Sequence, residues 1–264
     1  ALVICLVAIP MLAVPVQANG DEEEARITLS PSSGHPGEEI TVRGRYFDYR
    51  EDFDIHYYRD TSSSSRVKVA TDEADSDGDF EVTFTIPDSC TGAHEVLVDG
   101  DYNNVDKDFT VKPGLEIDPE EGSVDTTVTV KGRGFEEDER YIEVRYYLDA
   151  SNYEKVKSGI TANTYGTWTA TFKVPISSKG SHKIDAKGRY SSLGEVENAS
   201  FEVKPGISIS KSSGHIGDTI TVTGSGFKNK ESSVKVTYDG NQVGSSTTAD
   251  ENGTWTISFA VPPS

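Results

Sequence analysis

The chain has 264 residues and carries 44 acidic against 25 basic side chains, a formal charge of −19. That length suits two or three small domains, and the acidic balance excludes a phosphate-backbone surface, which needs clustered Lys and Arg. Residues 26–113 hold 19 acids and 9 bases, whereas residues 207–264 hold 5 and 4, so the early part of the chain is the self-repelling, cation-attracting part.

Ala1 to Ala18 is uncharged and consists mostly of Leu, Val, Ile and Ala. Val16-Gln17-Ala18 sets small residues at the −3 and −1 positions of a cleavage site, so residues 1–18 read as a secretory signal peptide. An acidic leader, 19–25, follows. With neither an initiator Met nor a basic flank, the given sequence is expected to begin inside its reading frame. An uncleaved N-terminal anchor is the alternative, and it leaves Asp21 to Glu24 outside, since cytoplasmic flanks tend to be basic. Either way the rest of the chain is expected outside the cytoplasm, at the cell surface. Any attachment to membrane or wall would then come from that anchor or from parts outside this sequence. Of the two cysteines, Cys5 lies in the signal-peptide segment and Cys90 stands alone, so no intrachain disulfide survives cleavage.

Three repeats follow. Gly34, Ile40-Thr41-Val42, Gly44 and Phe47 recur as Gly122, Val128-Thr129-Val130, Gly132 and Phe135. They recur again as Gly214, Ile220-Thr221-Val222, Gly224 and Phe227. In a second block Gly78 precedes Phe80, Val82, Phe84, Ile86 and Pro87. Its copies run from Gly166 through Trp168, Ala170, Phe172 and Val174 to Pro175, and from Gly253 through Trp255, Ile257, Phe259 and Val261 to Pro262. Apolar residues alternate with polar ones, the signature of half-buried strands, and proline ends each because it cannot donate to the ladder. A third block, Gly92-Ala93-His94-Glu95-Val96 and Gly180-Ser181-His182-Lys183-Ile184, appears twice. The last repeat is therefore expected to be truncated. The divisions are 26–113, 114–206 and 207–264, joined at Lys112-Pro113-Gly114 and Lys204-Pro205-Gly206 with almost no free linker. About seven short strands per complete repeat, separated by turn residues, predict an all-β chain of tandem immunoglobulin-like β-sandwiches.

The run Leu29-Ser30-Pro31-Ser32-Ser33-Gly34, Gly37, Ile40-Thr41-Val42-Arg43-Gly44 and Phe47 resembles the IPT/TIG family of early immunoglobulin-like domains. So does Ile209-Ser210, Gly214, Gly217 and Ile220-Thr221-Val222-Thr223-Gly224-Ser225-Gly226-Phe227. Asp125 departs from the pattern where the other repeats have Gly37 and Gly217. The resemblance covers nearly all of residues 26–264. It implies an early-set sandwich of the kind found in plexin-type receptors, Rel-type transcription factors, bacterial adhesins and some starch-acting enzymes, without implying one ligand. A prokaryotic cell-surface protein fits best, and no nucleic-acid partner is expected.

The sequence holds no G-x-S-x-G, H-E-x-x-H, paired-Cys or P-loop motif, and no enzyme activity is expected of it. No cofactor is expected except calcium, for which the candidate ligands are Asp75, Asp77 and Asp79 around Gly78: alternating carboxylates on a tight loop offer hard oxygen ligands. The matching turns, Asn163-Thr164-Tyr165-Gly166 and Asp250-Glu251-Asn252-Gly253, are those of ordinary hairpins, and a metal-free turn is the leading reading. His35 and His215 share one repeat position, and His94 and His182 another, which suggests structural hydrogen bonds. Trp168 and Trp255 fall on the core side of their strands. Tyr49, Tyr58, Tyr147, Tyr153 and Tyr190 are the candidates for stacking on sugar rings. The function expected is a non-catalytic extracellular stalk or adhesion module whose partners are other surface proteins or glycans. The alternative is an accessory, glycan-binding region of a larger surface or secreted enzyme.

Overall fold

Period-two alternation gives each segment one apolar face, which is buried only when a second sheet covers it. The computed structural model describes residues 23–60 and 63–263; the signal-peptide reading of residues 1–18 falls outside them. Strands β1 (Arg26–Ser30), β2 (Ser33–Gly34), β3 (Glu39–Arg45), β4 (Asp52–Tyr58), β5 (Arg66–Glu73), β6 (Phe80–Thr85), β7 (Gly92–Gly100) and β8 (Asn104–Val111) build the first unit. They pair in a three-stranded sheet, β1-β3-β6, and a five-stranded sheet, β2-β8-β7-β4-β5. The edge segment thus begins on one sheet, antiparallel to β3, and crosses to the other, where β2 runs parallel to β8.

The second unit repeats this order with β9 (Gly114–Asp118), β10 (Glu121–Gly122), β11 (Thr127–Arg133), β12 (Ile142–Tyr147), β13 (Tyr153–Ile160), β14 (Trp168–Lys173), β15 (Gly180–Lys187) and β16 (Ala199–Val203). Its sheets are β9-β11-β14 and β10-β16-β15-β12-β13. The third unit has β17 (Gly206–Ile209), β18 (Thr219–Ser225), β19 (Val234–Tyr238), β20 (Asn241–Thr247) and β21 (Trp255–Ala260), paired as β17-β18-β21 and β19-β20. The architecture is a tandem array of immunoglobulin-like sandwiches. Among the described residues the only helix is a single 3-10 turn, Ser63–Ser65, and none is long and apolar enough to cross a membrane.

Each unit buries its own core. In the second, Val128 and Val130 of one sheet face Val144, Tyr146, Ile184, Phe201 and Val203 of the other. The first unit matches this with Ile40, Val42, Ile55, Tyr57, Val96, Phe109 and Val111. The buried tyrosines end in polar handles: the Tyr57 hydroxyl lies 2.7 Å from that of Ser89, and the Tyr146 hydroxyl 2.9 Å from that of Ser177. Each serine in turn donates to the carbonyl of the strand-ending proline, Pro87 or Pro175.

The repeated glycines have two physical causes. Gly132 pairs across the sheet with Trp168, whose indole lies where a Cβ would be; Gly44 does the same for Phe80, and Gly224 for Trp255. Trp168 and Trp255 are buried at 4% and 6% exposure, as their register predicts. Gly78, Gly166 and Gly253 sit at φ of 76°, 66° and 71°, and a Cβ at any of them would strike the carbonyl oxygen of Phe47, Phe135 or Phe227. Only glycine satisfies both demands there.

The third unit differs in coverage. Ile27 and Leu115 are each 6% exposed, yet Ile207, at the same repeat position, is 68% exposed. In the first two units β8 and β16 lie against β1 and β9; no described strand of the third unit occupies that place. Ile207, Ile209, Val236, Tyr238, Phe259 and Val261 line an open apolar groove of about 450 Å³.

Candidate functional site

The constellation that most distinguishes this chain lies where consecutive units meet. Only Lys112 and Pro113 separate β8 from β9, and only Lys204 and Pro205 separate β16 from β17. Proline holds φ near −65° and offers no N–H, so the connection has little freedom of its own. Gly134 and Gly226, both at φ near 70°, bring the next unit's strand end against the linker, where a Cβ would sit 2.5 and 2.7 Å from the carbonyl oxygens of Lys112 and Lys204. Across the first junction the Thr91 N–H donates to the Phe135 carbonyl at 3.1 Å. Across the second, Lys179 N–H donates to the Phe227 carbonyl at 2.8 Å. The repeated Phe backbone thus serves both its own glycine turn and the preceding unit.

The first junction carries more. Arg133, whose side chain is 18% exposed, pairs with Asp88 of the first unit and lies 2.9 Å from Glu116. The Cys90 thiol donates to the Thr164 carbonyl at 3.3 Å; burial pushes it up, with the nearby Glu137 and Glu136 adding to the effect, and the proton it donates is retained. Arg59 lies over the ring of Tyr165, 5.1 Å from its centre. The linker is also clasped from the second unit: Glu197 N–H donates to the Pro113 carbonyl at 2.8 Å, and the Glu197 carbonyl accepts from Leu115 N–H at 3.1 Å. Ser225 stands in the third unit where Arg133 stands in the second, so the second junction lacks this ion pair. A groove of about 470 Å³ runs alongside the first junction, between Thr110, Val111 and Pro113 on one side and Glu136, Tyr190 and Glu195 on the other.

The acidic turn is built as a turn. The Asp75 carboxylate accepts the amides of Asp77 at 2.8 Å and Asp79 at 2.9 Å, and these bonds hold it below the usual carboxylate range. Asn163 and Asp250 make the same pair of bonds in the other units. Among the described residues the trio whose ligand atoms converge is instead His35, Glu38 and Glu197, all within 4.8 Å of one another.

His94 and His182 tie loops together: their Nδ1 atoms face the carbonyls of Tyr58 and Tyr147, and their Nε2 atoms those of Cys90 and Ser178, at 2.7 to 3.0 Å. Of the tyrosines read as stacking candidates, Tyr49 and Tyr190 are 69% and 62% exposed. Tyr58 and Tyr147 are half-buried, and Tyr153 is 44% exposed. Tyr147 and Tyr153 have ring centres 5.5 Å apart, and Tyr153 also packs under Arg145. Tyr102 and Tyr141, 76% and 71% exposed, belong to the same loop ends and were not singled out by sequence.

Sequence reasoning also missed three buried carboxylates: Glu51, Glu139 and Asp185, at 1%, 0% and 0% exposure, the last paired with Lys183 at 3.0 Å. Glu51 accepts from the amides of Tyr102 and Asn103 and from the Asn103 side chain, at 2.7 to 2.8 Å. Glu139 accepts from the amides of Tyr190 and Ser191 and from the Ser191 hydroxyl, each at 2.8 Å. Burial alone would raise Glu51; the bonds from Asn103, Tyr102 and Asp48 outweigh it and lower it instead. A signal was available: Glu stands four residues after the repeated Phe in every unit, at 51, 139 and 231.

Residues 206–264 match the IPT/TIG domain family, so the third unit is an IPT/TIG domain, and the first two repeat its strand order and its glycine–aromatic pairs. No curated protein matches the chain. Among solved structures, the chain is similar to trypsin-activated alpha-2-macroglobulin from Escherichia coli at 10% identity and a TM-score of 0.28, covering 90% of this chain and 21% of that one. It is similar to InvD of Yersinia pseudotuberculosis at 11% identity and 0.29, covering 91% and 83%. A third likeness is to the D0-D1 domain of Intimin, at 15% identity and 0.23, covering 68% and 98%. The chain thus spans about a fifth of the alpha-2-macroglobulin it matches.

Proposed function

We propose that this chain is a non-catalytic spacer or adhesion stalk on the outside of a prokaryotic cell, with residues 26–113, 114–206 and 207–264 as its successive domains. The observation that carries this reading is the junction. Two-residue linkers are fixed by proline, by close-packed glycines and by backbone hydrogen bonds from one unit to the next. Such joints transmit position along the array, which a spacer requires and a set of independent binding modules on flexible tethers does not. The acidic excess of the first unit keeps neighbouring arrays from clumping, and exposed loop ends bearing Tyr49, Tyr102, Tyr141 and Tyr190 offer contact surface to a partner.

Small-angle scattering on the purified chain tests the reading. A semi-rigid rod gives a radius of gyration well above the roughly 18 Å of a compact chain of this length, with a distance distribution skewed to long vectors. A compact particle, or one whose profile needs freely jointed units, would overturn it.

A further inference from the structure

We propose that the first junction is a transition-metal site, in which His35, Glu38 and Glu197 bind one zinc-class divalent ion and so bolt the first unit to the second. The site is independent of whether the array is a stalk.

His35 Nδ1 lies 3.1 Å from the Pro36 carbonyl oxygen. A carbonyl only accepts, so in the neutral ring Nδ1 carries the hydrogen and Nε2 presents a lone pair. That is the arrangement seen when histidine ligates a metal: one ring nitrogen is held by a backbone acceptor while the other faces the ion. Nε2 points toward Glu38 Oε1 at 3.4 Å. A lone pair facing a carboxylate oxygen is satisfied by a positive charge between them, supplied either by a proton on Nε2 or by a metal ion. Two ligands bound at about 2.0–2.1 Å around a tetrahedral zinc are themselves about 3.4 Å apart.

The carboxylate is also aimed. Glu38 Oε2 accepts the His35 N–H at 2.9 Å, which leaves Oε1 for the ion. The third ligand comes from the other unit. Glu197 is held by its backbone on both sides of the linker, at Pro113 and Leu115. The His35 ring lies against Gly114, where a Cβ would collide with it. Imidazole and carboxylates therefore approach one another around a linker that cannot swing away. The His35 side chain is only 13% exposed, and Glu197 faces solvent, which leaves room for water as a fourth ligand. The neighbouring cation, Arg133, already pairs with Asp88 and Glu116 and does not occupy the trio.

One nitrogen with two carboxylates suits zinc and its first-row neighbours. Calcium takes six to eight oxygens and has no use for the imidazole. The site is particular to this junction. The second unit has Ser123 and Thr126 at the two positions where the first has His35 and Glu38. The third has His215 and Asp218, with the same His N–H to carboxylate bond at 3.1 Å, but no third ligand converges on them among the described residues.

The test is calorimetric titration of the tag-free full chain with zinc chloride, repeated with cobalt(II) to read coordination from its visible absorption. The expected result is one equivalent bound, with tetrahedral-type cobalt absorption. Glu197→Gln and His35→Gln should each lower zinc affinity by at least ~10-fold, and His215→Gln should leave it unchanged. Glu197→Gln keeps the backbone bonds and side-chain shape, so its metal-free melting temperature should equal that of the parent and show that it folds. Zinc should raise the melting temperature of the parent and not of that variant. The absence of saturable binding would overturn the proposal, as would affinity unchanged in both junction variants or lost in His215→Gln.

Discussion

Charge in this protein does two jobs, and the difference is visible residue by residue. Most acids are solvated, but Glu143 on β12 is gathered into a network. Its carboxylate meets Arg145 at 2.5 Å, Lys155 at 2.7 Å and Lys187 at 3.6 Å, while its own side chain is 13% exposed. Burial alone would raise its pKa; the Lys155 and Arg145 hydrogen bonds and the surrounding positive charge overcome that and pull it down to about 2. A carboxylate whose folded value lies below its unfolded one stabilises the fold above the unfolded value and loses that contribution as pH falls through the folded one. The second unit should therefore lose about 2–3 kcal/mol from this group between roughly pH 5 and pH 2. Urea unfolding followed across that range should show Glu143→Gln less stable than the parent at pH 7 and converging with it near pH 2. A constant difference at every pH would contradict the network's role. Glu51 and Glu139 mark the other extreme, acids wholly inside the protein because loop amides converge on them.

At the scale of the element, the repeated Gly-x-aromatic turn is the device that closes each sandwich. Gly166 needs both a left-handed backbone and space, because the Phe135 carbonyl stands where a Cβ would go; Gly159, at φ 72°, needs only the backbone, with nothing within 4 Å. The pair separates the two costs. Gly159→Ala should cost about 1 kcal/mol, the ordinary penalty for a side chain at positive φ. Gly166→Ala should cost about 3 kcal/mol or more, since the carbonyl is also the acceptor for Thr91 across the junction. Thermal melting of the two variants checks this; equal shifts would mean the turn relaxes freely.

For the whole molecule, the same residue position has different worth in different units. Leu115 and Ile207 are the second residues of β9 and β17, in the same register against β11 and β18, yet one is 6% and the other 68% exposed. Leu115→Ala should cost about 2–4 kcal/mol through lost burial and a cavity, while Ile207→Ala should stay within about 0.5 kcal/mol. Denaturant midpoints of the two variants compare them directly, and comparable losses would show that the groove beside β17 is covered in solution. The two junctions differ in the same way: one has Arg133 between two carboxylates and the other has Ser225, so the array is held more firmly between its first and second units than between its second and third.

The amino-acid order by itself determined the repeats, their strands and the recurring glycines, because a sheet writes its inside and outside into every second residue and a turn writes its φ into glycine; that Gly44, Gly132 and Gly224 lie under Phe80, Trp168 and Trp255 came only with the strand register. Recurrence also suggested structural hydrogen bonds for His35 and His215 and for His94 and His182; His94 and His182 make them to carbonyls of their own units, whereas for His35 recurrence gave no sign of the carboxylate that meets it from the second unit. What it could not show is anything that depends on two segments meeting from far apart. Asp75, Asp77 and Asp79 stand close along the chain, yet the turn spends Asp75 on its own amides. His35, Glu38 and Glu197 are separated by a whole domain along the chain and converge only because the His35 ring packs against Gly114 at the short linker between the two units. Local pattern records local geometry; which charges become neighbours is decided by the packing of one sandwich on the next.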